Sequence, residues 1–230
     1  SDKVYEHILS NNPKNLGDII EGQSFVIDGM KVTIISPDVD KLNQLREKYS
    51  NHRPLCKSEI DKASVEAGSV MDDYFIPLQK FNLDYFQEDT SVENASSIAA
   101  VFEYDDKRIL WLSDSVPSVV MKSLFMLGFS ETNKMYCDAV LLSHHGSAAN
   151  NSLALLRMIQ ADKYIISADG MNGHCLPNKE TIARIVSAFS NLPVTLYFNY
   201  EDGRLIKMFK SDAQEDVKSR IDVHYLKDME

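Results

Sequence analysis

Ala139-Val140-Leu141-Leu142-Ser143-His144-His145-Gly146 is the stretch on which the reading of the fold turns. Four consecutive apolar residues read as a buried strand, and the polar run behind them breaks it with two imidazoles and a glycine. Gly146 lets the chain turn sharply after the pair. Two adjacent histidines at the end of an apolar strand have no evident packing purpose, so they direct attention to chemistry. Successive strand residues point to opposite sides, so one imidazole is expected on a metal and the other toward substrate.

The same pattern recurs on either side. Upstream, Ser97 to Tyr104 and Arg108 to Leu112 read as strands joined by the turn Asp105-Asp106, the second ending at Ser113-Asp114. A helix is expected over Val119 to Gly128. Downstream, Ser152 to Ile159 reads as a helix and Tyr164 to Ser167 as a strand that runs into the Gly-rich segment Asp169 to Gly173 and then His174. Lys179 to Ser187 reads as a helix, and a hairpin through Asp202-Gly203 is expected to join Val194–Tyr200 to Arg204–Phe209. Strands alternating with helices of this length indicate βα units and a largely buried sheet. Three such units end their strands in metal-competent residues: Asp114, then His144 and His145, then His174. In α/β sheets the carboxyl edge of the strands is where sites form. A carboxylate with imidazoles suits zinc, manganese or iron better than magnesium or calcium, which prefer all-oxygen shells.

Plainer roles exist for some of these residues. Asp114, followed by Pro117, also suits a helix cap. Cys175 beside His174 reads as a small buried thiol rather than a soft ligand. His7, His52 and His224 sit in polar surroundings and read as surface residues.

Further upstream, residues 3–10 read as the end of a helix. Gln23 to Ile35 reads as a hairpin around Asp28-Gly29, and Asp40 to Tyr49 has helical composition. Residues 50–93 form an irregular insertion, expected to be partly helical and to pack on the body of a single domain spanning 1–230. Its aromatics, Tyr74, Phe75, Phe81, Tyr85 and Phe86, argue against plain disorder.

The 230 residues are enough to bury a sizeable core. Asp and Glu outnumber Lys and Arg by 34 to 24, a net charge of −10 that disfavours long duplex nucleic acid and anionic membranes as partners. No apolar run approaches a membrane span, and no secretory leader is expected at the first residues. The cysteines Cys56, Cys137 and Cys175 are few and scattered, which points to a reducing, cytoplasmic setting without disulfides.

From Asn94 to Ile185 the chain resembles the second half of a metallo-β-lactamase-fold hydrolase, in the branch found as the soluble domain of the competence-type DNA-uptake channel ComEC. The resemblance rests on Glu93-Asn94-Ala95-Ser96-Ser97-Ile98, Leu110-Trp111-Leu112-Ser113-Asp114, Leu142-Ser143-His144-His145-Gly146-Ser147 and Asn172-Gly173-His174-Cys175-Leu176-Pro177, in that order. It implies an αββα sandwich of which this chain supplies mainly the second half. It implies a site with two divalent metal ions, zinc or manganese, in which Asp114 bridges the metals and His174 binds one of them. One of His144 and His145 would be a further ligand and the other a substrate-side group. The working assignment is His144 on the metal and His145 catalytic. The implied reaction is hydrolysis of a phosphodiester or small phosphoester. The family's His-x-His-x-Asp-His motif is absent from residues 1–230. The resemblance therefore implies an N-terminal half of the same fold, or a partner chain, that completes the site. The alternative is a decayed site on a fold that serves protein interaction. Outside that family, a non-catalytic interaction module would use the aromatics of 50–93 as its binding face. A serine hydrolase elbow and the nucleotide-binding glycine fingerprints are absent.

Overall fold

In the computed structural model, eight strands of the described residues join into one sheet. The structure describes residues 17–50, 72–170, 174–189, 193–213, 217 and 219–226. The expected helix over 3–10, His7, His52, Cys56 and residues 51–71 of the insertion lie outside them.

Strands β1 (Ser24–Ile27) and β2 (Met30–Ser36) form the expected hairpin, with Asp28 and Gly29 both left-handed at its turn. Helix α1 (Val39–Ser50) follows, and a short helix α2 (Val92–Ala95) leads into β3 (Ala99–Tyr104) and β4 (Lys107–Trp111). Up to this point the pairing is antiparallel. Then come α3 (Pro117–Met126), β5 (Met135–Cys137), β6 (Ala139–Leu141), α4 (Leu153–Arg157), β7 (Ile159–Ala161), β8 (Lys163–Ile166), α5 (Lys179–Ala188) and β9 (Val194–Phe198). From β4 onward β6, β8 and β9 pair in parallel. The fold is thus mixed α/β, a large sheet with helices packed against it. The strands β5 and β7 make a separate parallel pair, so Ile159 belongs to a strand and not to the preceding helix.

One expected element is replaced. Arg204–Phe209 is not the second arm of a hairpin. Asp202 accepts a hydrogen bond on Oδ1 from the Arg204 amide at 2.7 Å and so caps helix α6 (Gly203–Lys207). Leu205 and Met208 enter the main core. On the side away from β8, β9 pairs in parallel with β10 (Ile221–Tyr225), which completes the sheet order β1-β2-β3-β4-β6-β8-β9-β10.

Strand alternation gives the sheet two unlike faces. Val101, Leu110, Val140, Tyr164 and Leu196 lie on one face and pack with Val120 and Leu124 of α3, Leu155 and Leu156 of α4, and Ile182 and Ile185 of α5. The register puts Phe102, Ile109, Trp111, Leu141, Ile165 and Tyr197 on the other. There Trp111 is 48% exposed and Ile109 43%, with Tyr104 and Ile27 also exposed at the hairpin end. A parallel sheet is normally covered on both faces.

The described end of the insertion packs as expected in part. Tyr74 is buried in the main core and donates its hydroxyl to the Pro177 carbonyl at 3.1 Å. Asp73 caps α5, accepting from the Lys179 and Glu180 amides at 2.8 and 2.9 Å. Burial nevertheless outweighs those bonds and pushes the Asp73 carboxyl above its ordinary range. Phe75 and Tyr85 stay exposed, and Phe86 lies under the Arg184 guanidinium. The proposed aromatic binding face is therefore split.

Candidate functional site

The carboxyl ends of β6, β8 and β9 open into a cleft of about 380 Å³ lined by His144, His145, Asp169, His174, Asn199 and Tyr200, among others. Strand termination brings these residues together: each parallel strand stops and its following loop turns over the same edge. Three of the four expected site residues, His144, His145 and His174, reach the cleft. Asp114 is adjacent without lining it. Its neighbour Ser113 accepts the His144 amide at 2.7 Å, and its own carbonyl accepts from Asn150 Nδ2 at 3.3 Å.

The expectation that the two histidines point to opposite sides of a strand does not hold. They form a tight turn beyond β6, with φ of 44° at His144, 57° at His145 and 82° at Gly146. The left-handed region is unfavourable for side-chain-bearing residues, so surrounding contacts must hold this turn. Buried Asn151 does so. It accepts the Ser143 amide at 3.1 Å and donates to the carbonyls of Ser143 and Ser147, both at 2.8 Å. Both imidazoles consequently face one cleft, with ring centroids 5.8 Å apart.

Each ring has its Nδ1 occupied. His145 Nδ1 lies 2.6 Å from the Ser167 carbonyl oxygen. A carbonyl only accepts, so Nδ1 carries the proton and Nε2 the lone pair of the neutral ring. Ser167 is itself held through Asn199, which accepts the Ala168 amide at 2.9 Å and donates to Ser167 Oγ at 3.3 Å. His144 Nδ1 sits in a polar cage, 3.1 Å from Asn150 Oδ1, 3.3 Å from Asn94 Nδ2 and 3.7 Å from Asp89 Oδ2. Partial burial pushes the Asp89 carboxyl up, but hydrogen bonds from Asn94, the Ser91 amide and Asn150 outweigh it and hold the carboxyl below its ordinary range.

As donors for a metal, the histidines fit in kind. Metal-binding imidazoles characteristically give their other ring N–H to a carbonyl or a carboxylate-linked group, as His145 does to Ser167, and His144 Nδ1 has the Asn150 amide oxygen within reach. They fall short in number. Among the described residues no three His, Cys, Asp or Glu side chains stand close enough together to hold an ion. The expected ligands Asp114, His144 and His174 do not form such a group among themselves. Asp89, Asn150 and Asn199 were not found from sequence. The adjacent polar pair Asn150-Asn151, five residues after His145, was the available signal; Asp89 offered none.

Compared with protein-family models, curated proteins and solved structures, the chain has no match in any of the three. No helix among the described residues is long and apolar enough to cross a membrane.

Proposed function

We propose that this chain is the second half of a metal-dependent hydrolase of metallo-β-lactamase type, acting on a phosphodiester or small phosphoester in a reducing, cytoplasmic setting. The observation that carries the reading is the pair of adjacent imidazoles at the carboxyl edge of a parallel sheet, with Nδ1 of His145 bound to a carbonyl and that of His144 enclosed by polar groups. Asp114, His144 and His174 would hold part of a site for two zinc or manganese ions. Bound metals would lower the pKa of a water and stabilise the developing oxyanion. His145, whose ring is fixed by Ser167, would act from the substrate side as a proton acceptor or donor through Nε2.

The missing ligands would come from a His-x-His-x-Asp-His segment on a second sheet layer, either in a preceding half or on a partner chain. The exposed apolar sheet face carrying Trp111, Ile109 and Tyr104 supports that completion, because such a surface on a largely parallel sheet calls for a covering layer. The test is hydrolysis of bis-p-nitrophenyl phosphate by the completed assembly with zinc or manganese. Asp114→Ala and His174→Ala are each expected to abolish turnover while leaving the circular dichroism spectrum unchanged. Turnover retained in either variant removes the assignment.

The second reading, a non-catalytic interaction module, is favoured by the absence of a closed metal-ligand cluster among the described residues. It predicts no zinc uptake by the assembly.

A further inference from the structure

We propose that Asp89 is a positioning residue that acts through Asn94 and Asn150 to place the His144 proton on Nδ1, leaving Nε2 as the lone-pair atom of that ring. The inference rests on His144 being a ligand, and it follows from hydrogen-bond bookkeeping around one carboxylate. An ionised carboxylate only accepts. Asp89 Oδ1 takes the Ser91 amide at 2.8 Å, and Oδ2 takes Asn94 Nδ2 at 2.6 Å and Asn150 Nδ2 at 3.1 Å. Asn150 Nδ2 also lies 3.3 Å from the Asp114 carbonyl, again an acceptor. The Asn150 amide is therefore pinned with its nitrogen toward Asp89 and its oxygen toward His144. That oxygen, 3.1 Å from His144 Nδ1, can only receive an N–H. A bare Nδ1 would face this oxygen and Asp89 Oδ2, 3.7 Å away, lone pair to lone pair, with Asn94 Nδ2 at 3.3 Å as the donor on the other side of the balance; the nearer amide oxygen and the carboxylate charge favour the proton on Nδ1.

The carboxylate is itself fixed to the histidine turn, since the Asp89 amide donates to the Ala149 carbonyl at 3.1 Å. Asn150 is fully buried and Asp89 largely so, which keeps water from substituting for either. Without Asp89 the negative charge beside Nδ1 is lost and Asn94 Nδ2, which Oδ2 holds at 2.6 Å, is released to donate to Nδ1. The ring proton would then move to Nε2, where it blocks metal binding. Such outer partners of a ligating histidine typically change metal affinity by about 10- to 100-fold.

The experiment is a long-range ¹H–¹⁵N spectrum of the histidine rings in the metal-free full chain, at a pH where the imidazoles are neutral. His144 is assigned by loss of its signals in His144→Ala. Wild type is expected to show His144 protonated at Nδ1. Asp89→Ala and Asn150→Ala should each lose that tautomer in favour of Nε2–H, and the double variant should go no further than either alone. His145, held by Ser167, should not change in any of them. Wild type protonated at Nε2 overturns the proposal. So does an unchanged His144 tautomer in a folded Asp89→Ala. If Asp89→Ala fails to fold, Asp89→Asn, which keeps one oxygen acceptor, replaces it and is expected to give a mixture of tautomers. The outcome is independent of hydrolysis: an Nδ1–H ring in an inactive assembly keeps the positioning and removes the hydrolase, while an Nε2–H ring in an active one does the reverse.

Discussion

A Cβ placed on Gly146 would stand 2.8 Å from Cβ of Pro177, closer than side chains approach one another. The glycine is required twice over, because its φ is also +82°. Its carbonyl accepts from the Asn178 amide at 3.2 Å and Thr181 Oγ1 at 2.8 Å, which ties the histidine turn to the start of α5. Gly146→Ala is expected to cost roughly 2 kcal/mol or more, combining left-handed strain with overpacking. Urea unfolding checks this. An unchanged midpoint would show that Pro177 and the turn adjust freely.

A second prediction concerns the buried pair Lys179 and Asp212. The ammonium lies 2.6 Å from the carboxylate, with side chains 0% and 5% exposed. Ser211 Oγ at 2.7 Å and the Tyr74 carbonyl at 3.3 Å complete the ammonium's partners. The pair joins α5, the insertion and the segment after α6. Asp212→Asn keeps an acceptor for the Leu78 amide but leaves the lysine charge without its counter-charge, which should cost about 3 kcal/mol or more. Lys179→Met added to Asp212→Asn should recover much of that loss. A double variant no more stable than Asp212→Asn would show that the pair's charge is not what matters.

Acid should release α1. The Lys48 ammonium, with the Tyr49 hydroxyl, holds the Glu93 carboxyl down to about 2 from its ordinary 4.5. A depressed carboxyl pKa stabilises the fold above the ordinary value, and that stability is lost as pH falls from about 4.5 toward 2. These groups are largely exposed, so salt should weaken the effect. Amide shifts of Lys48 and Tyr49 followed through an acid titration should show a midpoint well below 4.5, absent in Glu93→Gln. A midpoint at the ordinary carboxyl value would mean that the contact does not persist in solution.

Trp111 is the only tryptophan, and it reports on the open sheet face. In the chain alone its emission should be red-shifted and readily quenched by acrylamide. On forming an active assembly the emission should shift to the blue and quenching should fall. Unchanged fluorescence in an assembly that hydrolyses substrate would move the docking surface elsewhere.

Local signals carried much of the fold. Ala139-Val140-Leu141 formed the buried parallel strand that four apolar residues suggested, and Asp28-Gly29 formed its hairpin. Asp202-Gly203 carried the same dipeptide signal and started a helix, because an Asp side chain that can close a turn can equally cap a helix. What chose between them was the burial of Leu205 and Met208, a long-range matter. The short strands Met135–Cys137 and Ile159–Ala161 were illegible for the same reason: each exists through the other.

The amino-acid sequence by itself determined that apolar strands would end at His144 and His145 and before His174, since strand length and chain-breaking residues are local properties. Only the tertiary structure decided that three histidines share a cleft while Asp114 stands beside it, and that a carboxylate 61 residues before Asn150 sits behind His144. Loop closures of that length depend on the packed sheet, which brings distant loops to one edge. Hydrogen-bond direction in a buried site depends on every partner being present at once.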